Sequence, residues 1–203
     1  MDDRISLASR QLARMRGMNA RYHDRFFSDI RFSTLVTLAL LTAGFAVDER
    51  LFLAIPPVAL IGAAQTAFDA SYLIFSRQYA TRLEQHLNRE LGQDLLVAHR
   101  LEEVYLFPLD ERKIVTLSLS KMTWFGFMTA FYTAIGVTAY VVGVILSLGV
   151  IEDRGAIAFG GLYLIALAAL TVLTLAVGMW WFVAGEGERR LKAVLDDAFG
   201  DTA

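Results

Sequence analysis

The sequence predicts an all-α, polytopic membrane protein: four transmembrane helices in two antiparallel hairpins, with an amphipathic N-terminal helix and a cytosolic helical stalk. The first observation is composition, since 56% of the 203 residues are hydrophobic and the mean hydropathy is +0.47. Soluble domains usually hold about 45–50% apolar residues. The second is that the excess lies in four long runs, and about 20 apolar residues suffice to cross a bilayer. The third is helical periodicity in the polar stretches between them.

These runs divide the chain into five predicted segments. In order they are a cytosolic amphipathic N-terminal helix (1–29), a first transmembrane hairpin (30–75), a cytosolic helical segment (76–121), a second transmembrane hairpin (122–184) and a cytosolic C-terminal tail (185–203).

The N-terminal segment has an apolar stripe at helical spacing, which includes Leu12, Met15, Tyr22 and Phe26. Two interpretations stay open. The helix lies on anionic lipid, as basic helices with apolar stripes do, or it packs on the protein's own cytosolic segment. No apolar run follows the start closely, so we expect the first hydrophobic stretch to be kept as an insertion signal rather than cleaved.

The first hairpin comprises spans 32–47 and 51–75. Asp48-Glu49-Arg50 predicts a very short loop between them, which makes the two spans antiparallel neighbours. Pro56-Pro57 lies in the first turns of the second span, where a missing N–H costs least, so we interpret the pair as a helix-start feature.

The second hairpin comprises spans 122–151 and 157–183, joined by a short loop at Glu152-Asp153-Arg154. Trp180-Trp181 ends the last span with side chains suited to the headgroup boundary.

The stalk begins as a charged continuation of the second span, with leucines every four residues that include Leu83 and Leu87. Gly92 is the predicted helix stop. Asp94 is the predicted N-cap of a second helix that ends near Leu106.

Basic residues predict the orientation of the chain. Each short loop carries one arginine, Arg50 or Arg154, and every other Lys and Arg lies in the N-terminal segment, the stalk or the tail. The positive-inside rule then places both termini in the cytoplasm. The layout is common among small prokaryotic membrane proteins, which points to the inner (cytoplasmic) membrane.

The two halves resemble each other. Each has a span that ends in two acidic residues and an arginine, then a span that leads into an amphipathic helix, and the stretch 81–92 aligns with 189–200. The likeness is either a parallel internal duplication or what any two short-looped helix pairs share.

Asp69, with Gln65 one turn before it and Tyr72 three residues after it, is the candidate intramembrane polar site. An ionisable residue at membrane depth often marks an ion path, and a ring of carboxylates in an oligomer favours cations. The alternative is structural: Asp69 pairs with Arg31 or reaches the headgroup region near Arg77.

Two sets of residues are candidates for packing between helices. Ala139, Gly143 and Ser147 form a ladder of small residues in the third span, which permits close approach of another helix. Leu83 and Leu87 form a stripe on the stalk. Both sets are expected to supply contacts in a homo-oligomer.

No motif for catalysis, metal or cofactor binding occurs. The chain has no cysteine, and a net charge of −2 does not favour nucleic acid. We expect His23, His86 and His99 on the solvated surface, and the acidic run with Glu102-Glu103 on a solvated face.

The sequence therefore favours a non-enzymatic integral membrane protein that forms a homo-oligomer and acts as a pore, a channel or a membrane effector. The alternative is a membrane-anchored scaffold whose cytosolic helices recruit a soluble protein partner.

Overall fold

The computed structural model describes residues 2–107, 113–114, 117–118, 123–153 and 157–200. These residues are helical almost throughout, which confirms the all-α class. The helices are α1 (Asp2–Ala46), α2 (Ile55–Leu91), α3 (Ala98–Tyr105), α4 (Trp124–Asp153), α5 (Ile157–Gly178) and α6 (Glu186–Phe199). A 3₁₀ helix covers Glu49–Ala54 and a π-helical turn covers Met179–Val183; β1 (Lys113–Ile114) and β2 (Leu117–Ser118) form a short antiparallel pair.

Four helical stretches are long and apolar enough to cross a membrane, as the sequence predicts. They are Asp3–Ala46, Glu49–Leu91, Trp124–Glu152 and Phe159–Phe199. The first, the second and the fourth extend well beyond their apolar runs, so each also carries a polar portion.

The two longest helices run through the expected segment boundaries. α1 passes residue 29 and α2 passes residue 75 without interruption. α1 contains no proline, and a single helical glycine such as Gly17 costs only about 1 kcal/mol. The N-terminal helix and the first span are therefore one helix, and so are the second span and the first part of the stalk.

The junction between α1 and α2 is a 3₁₀ helix, where the sequence predicts a plain loop. Asp48 caps it, because its carboxylate accepts a hydrogen bond from the Arg50 N–H at 3.0 Å. α2 begins at Ile55, so Pro56 and Pro57 lie in its first turn. Their role as a helix-start feature is confirmed.

Gly92 directly follows α2 with φ of +65°, a conformation that glycine adopts without steric cost, and the predicted stop is confirmed. The predicted N-cap at Asp94 is wrong. α3 begins at Ala98, and the Asp94 carboxylate instead pairs with Arg100 at 2.6 Å. Pro108 and Arg154 lie outside the described residues.

The chain forms two compact units. One, here called the polar unit, comprises Met1–Phe26, Phe68–Thr129 and Trp180–Ala203; the other, the apolar unit, comprises Phe27–Ala67 and Ala130–Met179. Each is described by itself.

The polar unit has a small hydrophobic core between α1 and α2. Its buried members are Leu12, Met15, Ala80, Leu83 and Leu87, and Tyr79, Leu96 and Phe199 pack against them. The apolar stripe of the N-terminal helix therefore packs on the protein's own helices, the second of its two interpretations.

The apolar unit has its buried cluster at Phe52, Ile55 and Val150. Gly44 lies against it so closely that a Cβ there would be 2.2 Å from Cε1 of Phe52. The 3₁₀ helix thus packs its aromatic side chain on the end of α1, with a second aromatic contact to Phe45 at 4.9 Å between ring centroids.

Candidate functional site

Five charged or titratable side chains of the polar unit meet in one partly buried group, here called the ion-pair cluster: Arg16, Arg77, Glu84, His99 and Glu102. α1 contributes the first, α2 the next two and α3 the last two. Arg77 and Glu84 lie two turns apart and His99 and Glu102 one turn apart, so helical periodicity places each pair on one face.

Glu84 is the centre of the cluster. Its side chain is buried, one carboxylate oxygen pairs with the Arg16 guanidinium, and the other accepts the His99 backbone N–H at 2.9 Å. The same oxygen is 2.9 Å from Nδ1 of His99. A carboxylate with three donors is well satisfied, which is what a buried charge requires.

Glu102 links the two arginines. Its oxygens lie 3.2 Å from Nη1 of Arg16 and 3.3 Å from Nε of Arg77. Arg77 is fully buried, donates from Nη1 to the Phe107 carbonyl at 2.8 Å, and places its guanidinium carbon 4.2 Å from the centre of the Phe107 ring. The arginine thus combines an ion pair, a neutral acceptor and a cation–π contact.

Burial lowers the pKa of His99, and the positive charge of Arg100 acts in the same direction. This shift disfavours the protonated ring, and because a carboxylate only accepts, Nδ1 is the donor to Glu84. Two guanidinium groups then face two carboxylates, so the charges of the cluster balance. An arrangement of this kind stabilises a fixed geometry of three helices rather than exchanging protons.

Two expectations are wrong here. His99 and Glu102 were expected on solvated surfaces, yet their side chains are 11% and 21% exposed and belong to the cluster. Of the other histidines, His86 lies 5.9 Å from the Phe199 ring and His23 lies 5.7 Å from Phe125, between centroids. A helical wheel shows which residues share a face, but not which face the neighbouring helix covers.

Asp69, the sharpest candidate from the sequence, is completely buried in the polar unit. Its Oδ1 lies 3.4 Å from Nε of Arg25 on α1. Arg31, the partner that the structural interpretation named, instead donates from Nε to the Phe27 carbonyl at 3.2 Å. The carboxylate is paired across α1 and α2, by a different arginine.

Tyr72 lies near Asp69 on α2, and its ring stacks on Tyr22 of α1 at 4.7 Å between centroids. Phe68 extends the aromatic group at 4.8 Å from Tyr72. Gln65 belongs to the apolar unit and is half-buried there. The aromatic stack and the Asp69–Arg25 pair both join α1 to α2.

The ladder of small residues on α4 contacts the start of α2 within the apolar unit. A Cβ on Gly143 would be 2.6 Å from Cγ2 of Ile55, and Ser147 donates from Oγ to the Phe52 carbonyl at 3.1 Å. Ala139 is half-buried. Small side chains therefore permit a close approach inside one chain.

Leu83 and Leu87 are also occupied within the chain, since both are members of the polar unit's core. They stabilise the packing of α1 on α2 and present no open surface to another protein.

The described residues include no group of three or more His, Cys, Asp or Glu side chains that suits a metal ion. A shallow, open depression of ≈ 600 Å³ lies at the end of α2 and the start of α3. Polar groups that line it already have partners within the chain. Asn88 forms hydrogen bonds of 2.8 and 2.9 Å with the Leu96 backbone, and Arg100 pairs with Asp94.

No protein-family model, curated protein or solved structure matches this chain.

Proposed function

We propose that this chain is a non-enzymatic integral membrane protein that forms homo-oligomers through its fourth membrane helix, with both termini in the cytoplasm. The ion-pair cluster fixes the helices outside the membrane as a stable cytoplasmic module. The oligomer acts as a membrane effector.

The exposure of α5 carries the proposal. In its most apolar stretch only 6% of the residues are buried in the single chain, against 11% for α1 and 17% for α2 and for α4. One side of α5 meets its own chain: Tyr163 donates to the Leu53 carbonyl at 2.9 Å, and Thr171 lies 2.6 Å from the Tyr140 hydroxyl. The rest is open.

Part of that open surface is built from small residues. Gly161, Ala168 and Ala176 lie on one exposed side of α5, and no atom of another residue lies within 4 Å of a Cβ built on Gly161. Lipid tails are as apolar as leucine, so helix association in membranes relies on close packing that small residues permit. These small residues would let another helix approach between the larger exposed side chains of Ile165 and Val172 on the same side.

Asp69 has a structural role in this proposal. Its burial and its pairing with Arg25 support a group that fastens α2 to α1. A pore lined by Asp69 would need a different arrangement, in which that carboxylate leaves Arg25 and faces an open path.

The scaffold hypothesis loses its expected docking residues, because Leu83 and Leu87 are core residues. A soluble partner would have to bind another surface.

Cysteine cross-linking tests the oligomer, because the chain has no native cysteine. Ala168→Cys places a thiol on the small-residue side, and Ala166→Cys places one on a different exposed side of the same helix. In liposomes under mild oxidation we expect disulfide-linked dimers with Ala168→Cys and few with Ala166→Cys.

Native mass spectrometry of the detergent-purified protein gives the number of copies. A monomer in native spectra, together with equal cross-linking of both variants, would refute assembly through α5.

A further inference from the structure

α3 has the reverse of the usual exposure pattern. Its polar side faces inward, since His99 and Glu102 belong to the ion-pair cluster. Its outward side is mostly apolar: Leu101 is 68% exposed, Val104 80% and Tyr105 67%, while Arg100 lies at the edge of this side and pairs with Asp94. A helix in water turns its charges outward and its apolar residues inward.

The end of α3 is fastened to the start of a membrane helix. The Leu106 carbonyl accepts a hydrogen bond from the Thr123 hydroxyl, and the rings of Phe107 and Phe125 lie 5.8 Å apart. α4 begins at Trp124, which is 64% exposed. Val104 and Leu101 precede Leu106 by about 3 Å and about 8 Å of helix rise.

We propose that α3 is an interfacial helix whose outward face, Leu101, Val104 and Tyr105, inserts into the headgroup and acyl boundary of the bilayer. The inference rests on the membrane part of the proposed function and is independent of oligomer formation. Helices of this type lie in the membrane plane with the apolar side in lipid.

Two observations favour lipid over protein as the occupant. The face ends next to the start of α4, to which the Thr123 hydrogen bond joins it, and that start carries the exposed Trp124, a residue type that marks the boundary of a membrane. Three side chains also expose less than the roughly 800 Å² that each partner buries in a stable protein interface.

The ion-pair cluster gives the arrangement its rigidity. Two bonds from Glu84 hold His99, and Glu102 binds both Arg16 and Arg77, so α3 cannot rotate its apolar side inward without exposing paired charges. The bilayer then covers the side that the protein leaves open.

Spin labels on single cysteines test the inference. Val104→Cys carries the label on the outward face, Glu90→Cys carries it at an exposed polar position of α2, and Leu173→Cys reports insertion of α5 from a side other than its small-residue side. The labelled proteins are placed in vesicles of three parts phosphatidylcholine to one part phosphatidylglycerol. Collisions with oxygen, which concentrates in lipid, are compared with collisions with a water-soluble nickel chelate.

We expect oxygen to exceed the nickel chelate at Val104 and at Leu173, and the reverse at Glu90. Higher access to nickel at Val104 would place the face in water and overturn the inference. Low access to both reagents at Val104 would show a protein cover and overturn it too. In either case a lipid signal at Leu173 would leave the proposed function intact, whereas nickel access at Leu173 would refute membrane insertion itself.

Discussion

Glu84→Gln removes the central charge of the ion-pair cluster while keeping the shape of the side chain. Glu84 accepts from Arg16, from the His99 N–H and from His99 Nδ1. Hydrogen bonds to charged groups contribute about 1.5–3 kcal/mol each, and breaking one partner of a buried ion pair costs about 3–5 kcal/mol.

Two features reduce that loss. Arg16 still pairs with Glu102 at 3.2 Å and is 32% exposed, so its charge remains paired and partly hydrated. The glutamine side chain also retains one oxygen that can accept a hydrogen bond. We therefore expect a loss of about 2–4 kcal/mol in the free energy of unfolding, which lowers Tm by roughly 5–15 °C in a chain of this size.

Thermal unfolding in detergent, followed by tryptophan fluorescence, measures the effect. All three tryptophans, Trp124, Trp180 and Trp181, belong to the polar unit, so their emission reports on the unit that holds Glu84. Glu90→Gln is the matched control, because Glu90 is an exposed residue of the same helix and such surface changes stay within about 0.5 kcal/mol. Equal Tm values for the two variants would refute the reasoning.

Three further substitutions test the packing. Leu83→Ala should lower the free energy of unfolding by about 2–5 kcal/mol, because the leucine side chain is buried. Leu91 is 41% exposed, so Leu91→Ala should change Tm little. Equal shifts in Tm for the two variants would contradict the assigned core. Gly143→Ala should lower the free energy of unfolding by about 1–3 kcal/mol, because the added Cβ meets Ile55. Gly136→Ala is the control and should be neutral or stabilising, since open space surrounds that glycine. A larger loss of stability with Gly136→Ala than with Gly143→Ala would exclude the close approach of α4 to α2. Asp69→Asn should lower the free energy of unfolding by about 1–3 kcal/mol, because it weakens the pair with Arg25, and should leave bilayer conductance unchanged; altered conductance would favour a pore.

Much of the local structure could be predicted from the chain itself. The four apolar runs, the helix stop at Gly92 and the start at Pro56-Pro57 depend on composition and backbone conformation, which are properties of neighbouring residues. The periodic stripes at Leu12 and Leu83 predict an apolar face for the same reason.

The candidate site was only partly accessible. Asp69 stands out in the sequence because it interrupts an apolar run, but the choice of Arg25 over Arg31 depends on the rotation of α1 against α2. The spacing of Arg77 and Glu84 is a usable signal, since two opposite charges lie two turns apart on one face. Nothing local, however, distinguishes them from the charges that remain in water.

The sequence by itself determined that this is a helical chain with four membrane-length apolar stretches, because hydropathy and periodicity act through each segment alone. Only the tertiary structure decided that Arg16, Glu84, His99 and Glu102 meet in the ion-pair cluster. It also decided that Val104 lies on the exposed side of α3. Those features arise where helices distant in the chain meet. The packing of two helix surfaces against each other decides whether a charge is buried and paired and whether an apolar side chain stays exposed.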